Sequence, residues 1–63
     1  MIDEELTVND LDMIAESLSY TIRAFENYEY YPTDELKQRR IAEARAARSK
    51  VLVLKRRTRE REA

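Results

Sequence analysis

Pro32 is the one strong break in a chain of 63 residues that contains no glycine. Without glycine, positive-φ turns, the tight primed turns of β-hairpins and phosphate-cradling loops are hard to build. A single proline ends a helix once, because it pushes the residue before it out of the α region and cannot donate to the next turn. Alanine, leucine, glutamate and arginine, all good helix formers, are prominent. The expected fold class is therefore all-α, with two helices and one connection.

The first helix announces its start in "LTVNDL". Thr7 is a suitable N-cap and Asp10 stands at the capping-box spacing. Leu11, Ile14, Leu18, Ile22, Phe25 and Tyr28 then recur at steps of three and four, which predicts a helix over about 8–29. In "YYPTDE" the helix ends, with Tyr31 already non-helical. Thr33 offers a second N-cap, followed by Asp34 and Glu35 at the positive end of a helix dipole. A second helix is expected over about 34–57, its inner face drawn from Leu36, Ile41, Ala44, Ala47, Val51, Leu52, Leu54 and Thr58. The short connection implies an antiparallel two-helix hairpin with Leu11 near Leu52, Leu18 near Ala44 and Arg45, and Phe25 near Gln38. Residues 1–63 form one domain, with an acidic segment at 1–6 and a frayed basic tail at 58–63.

Size then limits what such a hairpin can do alone. A chain this short buries only about 60% of its unfolded surface, and such chains are usually held by disulfides, a metal or a second copy. Cysteine and histidine are both absent, which removes disulfides, thiolate nucleophiles, imidazole bases and nearly every zinc or iron site. Self-association, most simply into a homodimeric four-helix bundle, is the remedy left. No cofactor or metal is expected. No apolar run approaches the ~20 residues of a membrane span, and acids follow Met1–Ile2 where a signal peptide would carry bases. These features predict a soluble, cytoplasmic protein.

A net charge of −1 conceals an asymmetry. Residues 1–36 carry ten acids against Arg23 alone, whereas residues 37–63 carry eleven bases against Glu43, Glu60 and Glu62. Read alone, the second half suggests a nucleic-acid binder in which Arg39, Arg45, Arg56, Arg57, Arg59 and Arg61 track phosphates. An antiparallel hairpin supplies the rival reading, because it lays the acids of 3–12 beside the bases of 50–61. Such charges neutralise one another and fix helix orientation and partner choice. The slightly acidic total favours this rival, since nucleic-acid domains are usually basic overall.

Both helices also show apolar residues off the inner face. Met13, Tyr20 and Ala24, with Tyr31, form a back stripe on the first, and Val53 joins Ala42 and Ala46 on the second. A helix apolar on two sides suggests contacts on two sides, so Met13, Tyr20, Tyr31 and Val53 are the candidate partner-binding residues. Tyr28, Tyr30 and Tyr31 cluster at the tip, where they either close the end of the bundle, with Tyr28 turned inward, or stack nucleobases or anchor a partner. Catalysis has little to stand on: Asp12 and Glu16 lie one turn apart, with no pocket in prospect to shift their pKa values.

In outline the expected hairpin resembles the small two-helix proteins that dimerise into four-helix bundles, among them a plasmid copy-number regulator that binds paired RNA loops. The resemblance lies in architecture and transfers no residue. The charge-dense, glycine-free style resembles accessory reading frames of phages and mobile elements. The function expected is a non-catalytic protein-interaction module, such as a small adaptor, inhibitor or assembly factor. Its partners are a second copy of itself and another protein; the alternative is a dimeric RNA- or DNA-binding regulator.

Overall fold

The computed structural model describes residues 5–62, which form two helices, α1 (Val8–Asn27) and α2 (Asp34–Glu62), packed against one another as an antiparallel hairpin. Most of the acidic opening segment lies outside the described residues. No helix of the described residues is long and apolar enough to cross a membrane.

Both helix starts follow local chemistry. The Thr7 hydroxyl accepts from the Asp10 N–H at 3.1 Å, and the Asp10 carboxylate accepts from the Thr7 N–H at 2.9 Å. This reciprocal pair satisfies two donors that the first turn of α1 would otherwise leave open. At α2 the Thr33 hydroxyl accepts from the Leu36 N–H at 3.1 Å, with Asp34 and Glu35 in the first turn.

The helix ends differ from expectation at both elements. α1 stops at Asn27, short of the expected 29, where Tyr28 turns extended (φ −74°, ψ 128°) while its N–H still reaches the Ala24 carbonyl at 3.0 Å. No described residue has positive φ. A chain without glycine thus reverses through a longer extended connection, Tyr28 to Thr33, rather than through a left-handed cap. α2 continues to Glu62 instead of ending near 57. No helix breaker follows Asp34, and Arg59 and Arg61 suit the negative end of the dipole. Thr58 is buried at 4% exposure, in a region where Glu5, Leu6 and Thr7 border Thr58, Arg61 and Glu62. The segment that leads into α1 therefore lies against α2 at Thr58, while residues 59–62 stay exposed.

The seam between the helices alternates steps of three and four. On α1 it runs through Val8, Leu11, Ala15, Leu18, Ile22 and Phe25, all buried or half-buried. On α2 the same spacing selects Lys37, Ile41, Ala44, Arg48, Val51, Lys55 and Thr58, again all buried or half-buried. A mean step of 3.5 keeps two helices in contact over many turns. Leu52 and Leu54, expected on the inner face, are instead 36% and 41% exposed. They flank Val51 on either side, while Arg48 and Lys55 lay their aliphatic stems into the seam.

The result is a single layer. Its Cα extents are 45 × 21 × 14 Å, and the buried apolar core comprises Leu11, Ala15, Ile41 and Ala44 among the described residues. Leu11, at 1% exposure, is the only large side chain fully enclosed among them.

Candidate functional site

A helical layer has two broad faces, and here they differ in kind. Among the described residues three polar contacts cross the seam, and all lie on one face. The Lys55 ammonium pairs with the Asp12 carboxylate. Arg48 Nε donates to Ser19 Oγ at 2.8 Å, and Ser19 Oγ in turn donates to the Ala15 carbonyl at 3.1 Å. Arg45 Nη2 meets Glu26 Oε2 at 3.3 Å. Between them opens a shallow cleft of about 410 Å³ bordered by Ser19, Arg23, Glu26, Arg45, Arg48 and Ser49. Asp12, Ser19 and Glu26 recur at seven-residue steps on one flank of α1, so the contacts form a regular ladder.

The opposite face carries no cross-helix polar contact among the described residues. Ile14 lies two residues beyond Asp12 and Leu54 two beyond Leu52, about 200° round their helices, which puts both on the far side of the seam. They are 37% and 41% exposed. Thr21 and Ala47 follow one heptad nearer the tip, both half-buried, with Ser17 and Ala24 beside them. This face is apolar at Ile14 and Leu54 and small at Thr21 and Ala47, and one heptad beyond Ala47 it reaches Arg40, which pairs with Glu43. Lys50, Arg57 and Arg61 rim it along α2, where Val53 and Leu54 form an open apolar patch.

The residues expected to bind a partner do not form one surface within the hairpin. Met13 and Tyr20, 60% and 62% exposed, follow the outer edge of α1, and Val53, 39% exposed, lies on the outer edge of α2. Asn9 donates to the Met13 sulfur at 3.9 Å, and the Arg23 guanidinium sits 5.8 Å from the Tyr20 ring centre. Tyr31 is half-buried at the tip and meets Tyr28 edge to face at 4.8 Å, while Tyr28 meets Tyr30 at 5.8 Å. Tyr28 is 49% exposed, so Tyr31 rather than Tyr28 is the ring tucked against the fold. Ending α1 at Asn27 takes Tyr28 off the inner helical stripe.

Neither do the six candidate phosphate-binding arginines share a face. Arg45 is held by Glu26, Arg39 projects from the outer edge of α2, and Arg56 and Arg59 belong to the ion-paired side. Arg57 and Arg61 belong to the apolar side. Arg40 pairs with Glu43 within α2 at 3.7 Å. Among the described residues no carboxylate pairs with Arg56, Arg57, Arg59 or Arg61. Asp10 is committed to the cap of α1, and Thr7 holds its carboxyl below the ordinary aspartate value, first through the backbone N–H and then through the hydroxyl.

The apolar face is what sequence reading missed. Its signal was the seven-residue step from Ile14 to Thr21 on α1 and from Ala47 to Leu54 on α2, which becomes visible only when the rotation of both helices is known. No protein-family model, curated protein sequence or solved structure matches the chain.

Proposed function

We propose that the protein is a non-catalytic protein-interaction module, a small adaptor, inhibitor or assembly factor, that works as a homo-oligomer and most simply as a four-helix bundle of two hairpins. The observation that carries this reading is the size of the core. Domains are built from at least two packed layers around one core. This hairpin is one layer, and Leu11, Ala15, Ile41 and Ala44 are its only buried apolar residues among those described. Met13, Ile14, Tyr20, Val53 and Leu54 stay exposed on it, and burying such side chains is the main available source of further stability. A second layer of the same kind supplies the missing cover. Oppositely charged helices then set orientation and partner choice more than affinity, because exposed ion pairs contribute only about 0–1 kcal/mol each.

Sedimentation equilibrium over a wide concentration range tests this. The expected outcome is a mass that rises to twice 7.5 kDa, with helix content falling on dilution. A fully helical monomer at every concentration removes the reading.

One observation favours a second reading, a dimeric nucleic-acid binder: the last arginines of α2 have no carboxylate partner among the described residues. Duplex DNA and structured RNA, titrated at about 50 and 200 mM salt, decide it, since a phosphate-binding protein loses affinity by orders of magnitude over that range. Absence of binding at the lower salt excludes it.

A further inference from the structure

We propose that the apolar face is covered by the same face of a second copy pointing in the same direction, so that α1 of each copy lies on α2 of the other. This arrangement rests on the self-association proposed above and specifies its geometry. Two hairpins can stack on like faces about a two-fold axis in two ways. An axis along the helices keeps both tips at one end and sets α1 over the partner's α2. An axis across the helices sends the tips to opposite ends and sets α1 over α1 and α2 over α2.

Charge separates the two. α1 carries four acids and one base, whereas α2 carries eleven bases and five acids. Same-direction stacking sets the acidic helix against the basic one, and opposite-direction stacking sets each helix against its own sign. Shape gives the same answer independently. The Asp12–Lys55 contact fixes Ile14 and Leu54 at one level of the hairpin to within a helical turn, at the end away from the tip. Beyond them the face narrows to Thr21, Ala24 and Ala47 before Arg40 and Glu43 are reached near the tip. Only copies pointing the same way bring large residues to large ones, each Ile14 beside the partner's Leu54, and let the small-residue half close up.

The same stacking unites the exposed edges that the hairpin keeps apart. Met13, on the outer edge of α1, comes beside the partner's Val53, and Asp10 comes opposite the partner's Arg57. The area is sufficient. The chain exposes 5395 Å², about 1,150 Å² more than the roughly 4,250 Å² expected of a globular monomer of 7.5 kDa. A standard interface removes about 800 Å² per partner.

A distance measurement reads the arrangement. The chain has no cysteine of its own, and Tyr30 is 81% exposed at the tip, so Tyr30→Cys carries a spin label with little disturbance. In pulsed dipolar spectroscopy the two labels should lie within about 30 Å of one another, since bundled helices stand about 8–10 Å apart. A separation at or beyond the 45 Å length of the hairpin overturns same-direction stacking while leaving self-association standing. A monomer by sedimentation overturns both. In unlabelled protein, Leu54→Glu should weaken the dimer at least about thirtyfold, as expected for a charge placed in a packed contact. An unchanged dissociation constant overturns the assignment of the face, because Leu54 is already partly exposed in the single hairpin and its replacement leaves that fold intact.

Discussion

The two faces of the hairpin are built from the same two helices, yet one is complete and the other is not. On the ion-paired face, Asp12, Ser19 and Glu26 find Lys55, Arg48 and Arg45 across the seam. On the apolar face, Ile14 and Leu54 stand exposed with no polar contact across the seam among the described residues. On the proposed self-association the difference separates two tasks. Charges along one flank match the antiparallel pairing within the chain, and the exposed apolar positions along the other would take the second copy. Were both flanks ion-paired, the hairpin would have no reason to associate. Were both apolar, nothing would fix which face did.

The substitution with the largest expected effect removes what both faces share. Leu11→Ala empties the only fully enclosed large side chain among the described residues, and a Leu→Ala cavity costs about 2–5 kcal/mol. In so small a chain this should abolish cooperative thermal unfolding, followed by circular dichroism. A well-formed transition within a few degrees of wild type would place the core elsewhere. Next in size is a contrast between flanks. Ile14→Glu should cost about 2 kcal/mol or more of association free energy by placing a charge in a desolvated contact. Asp12→Ala should cost no more than about 1 kcal/mol, because its pair with Lys55 is largely exposed on the carboxylate side. Both are measured by sedimentation and urea unfolding on the same samples. Equal losses at the two positions would erase the distinction between the faces.

Salt sharpens the contrast at smaller amplitude. Raising ionic strength to about 1 M shortens the screening length to about 3 Å. The dimer should survive this, because apolar burial is not screened. Any loss should be confined to the part of the affinity that comes from the acidic helix lying on the basic one. Dissociation by salt alone would move the weight of association from Ile14 and Leu54 to the charges.

Much of the fold is legible in the sequence because its cues are local. Thr7 and Asp10, and Thr33 ahead of Asp34, mark both helix starts within four residues, and Pro32 requires the break between them. The inner face of α2 is less legible. Hydropathy draws it through the aliphatic run onto Leu52 and Leu54, whereas the three–four spacing set by Ile41, Ala44 and Thr58 passes through Arg48 and Lys55. Long basic stems pack as apolar chains, so residue type misleads there and spacing does not. The end of α2 is hidden for a related reason. A string of arginines looks solvated, but Thr58 lies beneath the segment that precedes α1, a contact between residues distant in sequence. The two faces are the least legible feature, because naming them requires the rotation of both helices at once. One cross-helix pair, Arg45 with Glu26, suffices to fix it.

The smallest expected effect lies at the start of α1, away from the Ile14–Leu54 contact, and serves as its control. Thr7→Ala removes the hydroxyl that accepts from the Asp10 N–H, and loss of such a cap costs about 1 kcal/mol. Its partner gives a pH signature of known sign. Thr7 holds the Asp10 carboxyl below the ordinary value of 3.8 in the folded protein. An unfolded chain therefore binds this proton first as acid is added, and the stability that the capping box contributes is present above about pH 4. It is lost as the pH falls through the depressed folded value. Asp10→Asn keeps an acceptor at the same place and removes the titration. The variant should therefore lose less stability than wild type between about pH 4 and pH 2, with urea unfolding as the measure. Because Thr7→Ala leaves the Asp10 charge and the Ile14–Leu54 contact in place, the dimer dissociation constant at neutral pH should be the same for Thr7→Ala and wild type once unfolding is accounted for. A cap substitution that weakened association as much as Ile14→Glu would mean that the interface follows helix stability in general, and the apolar face would lose its claim to a separate role.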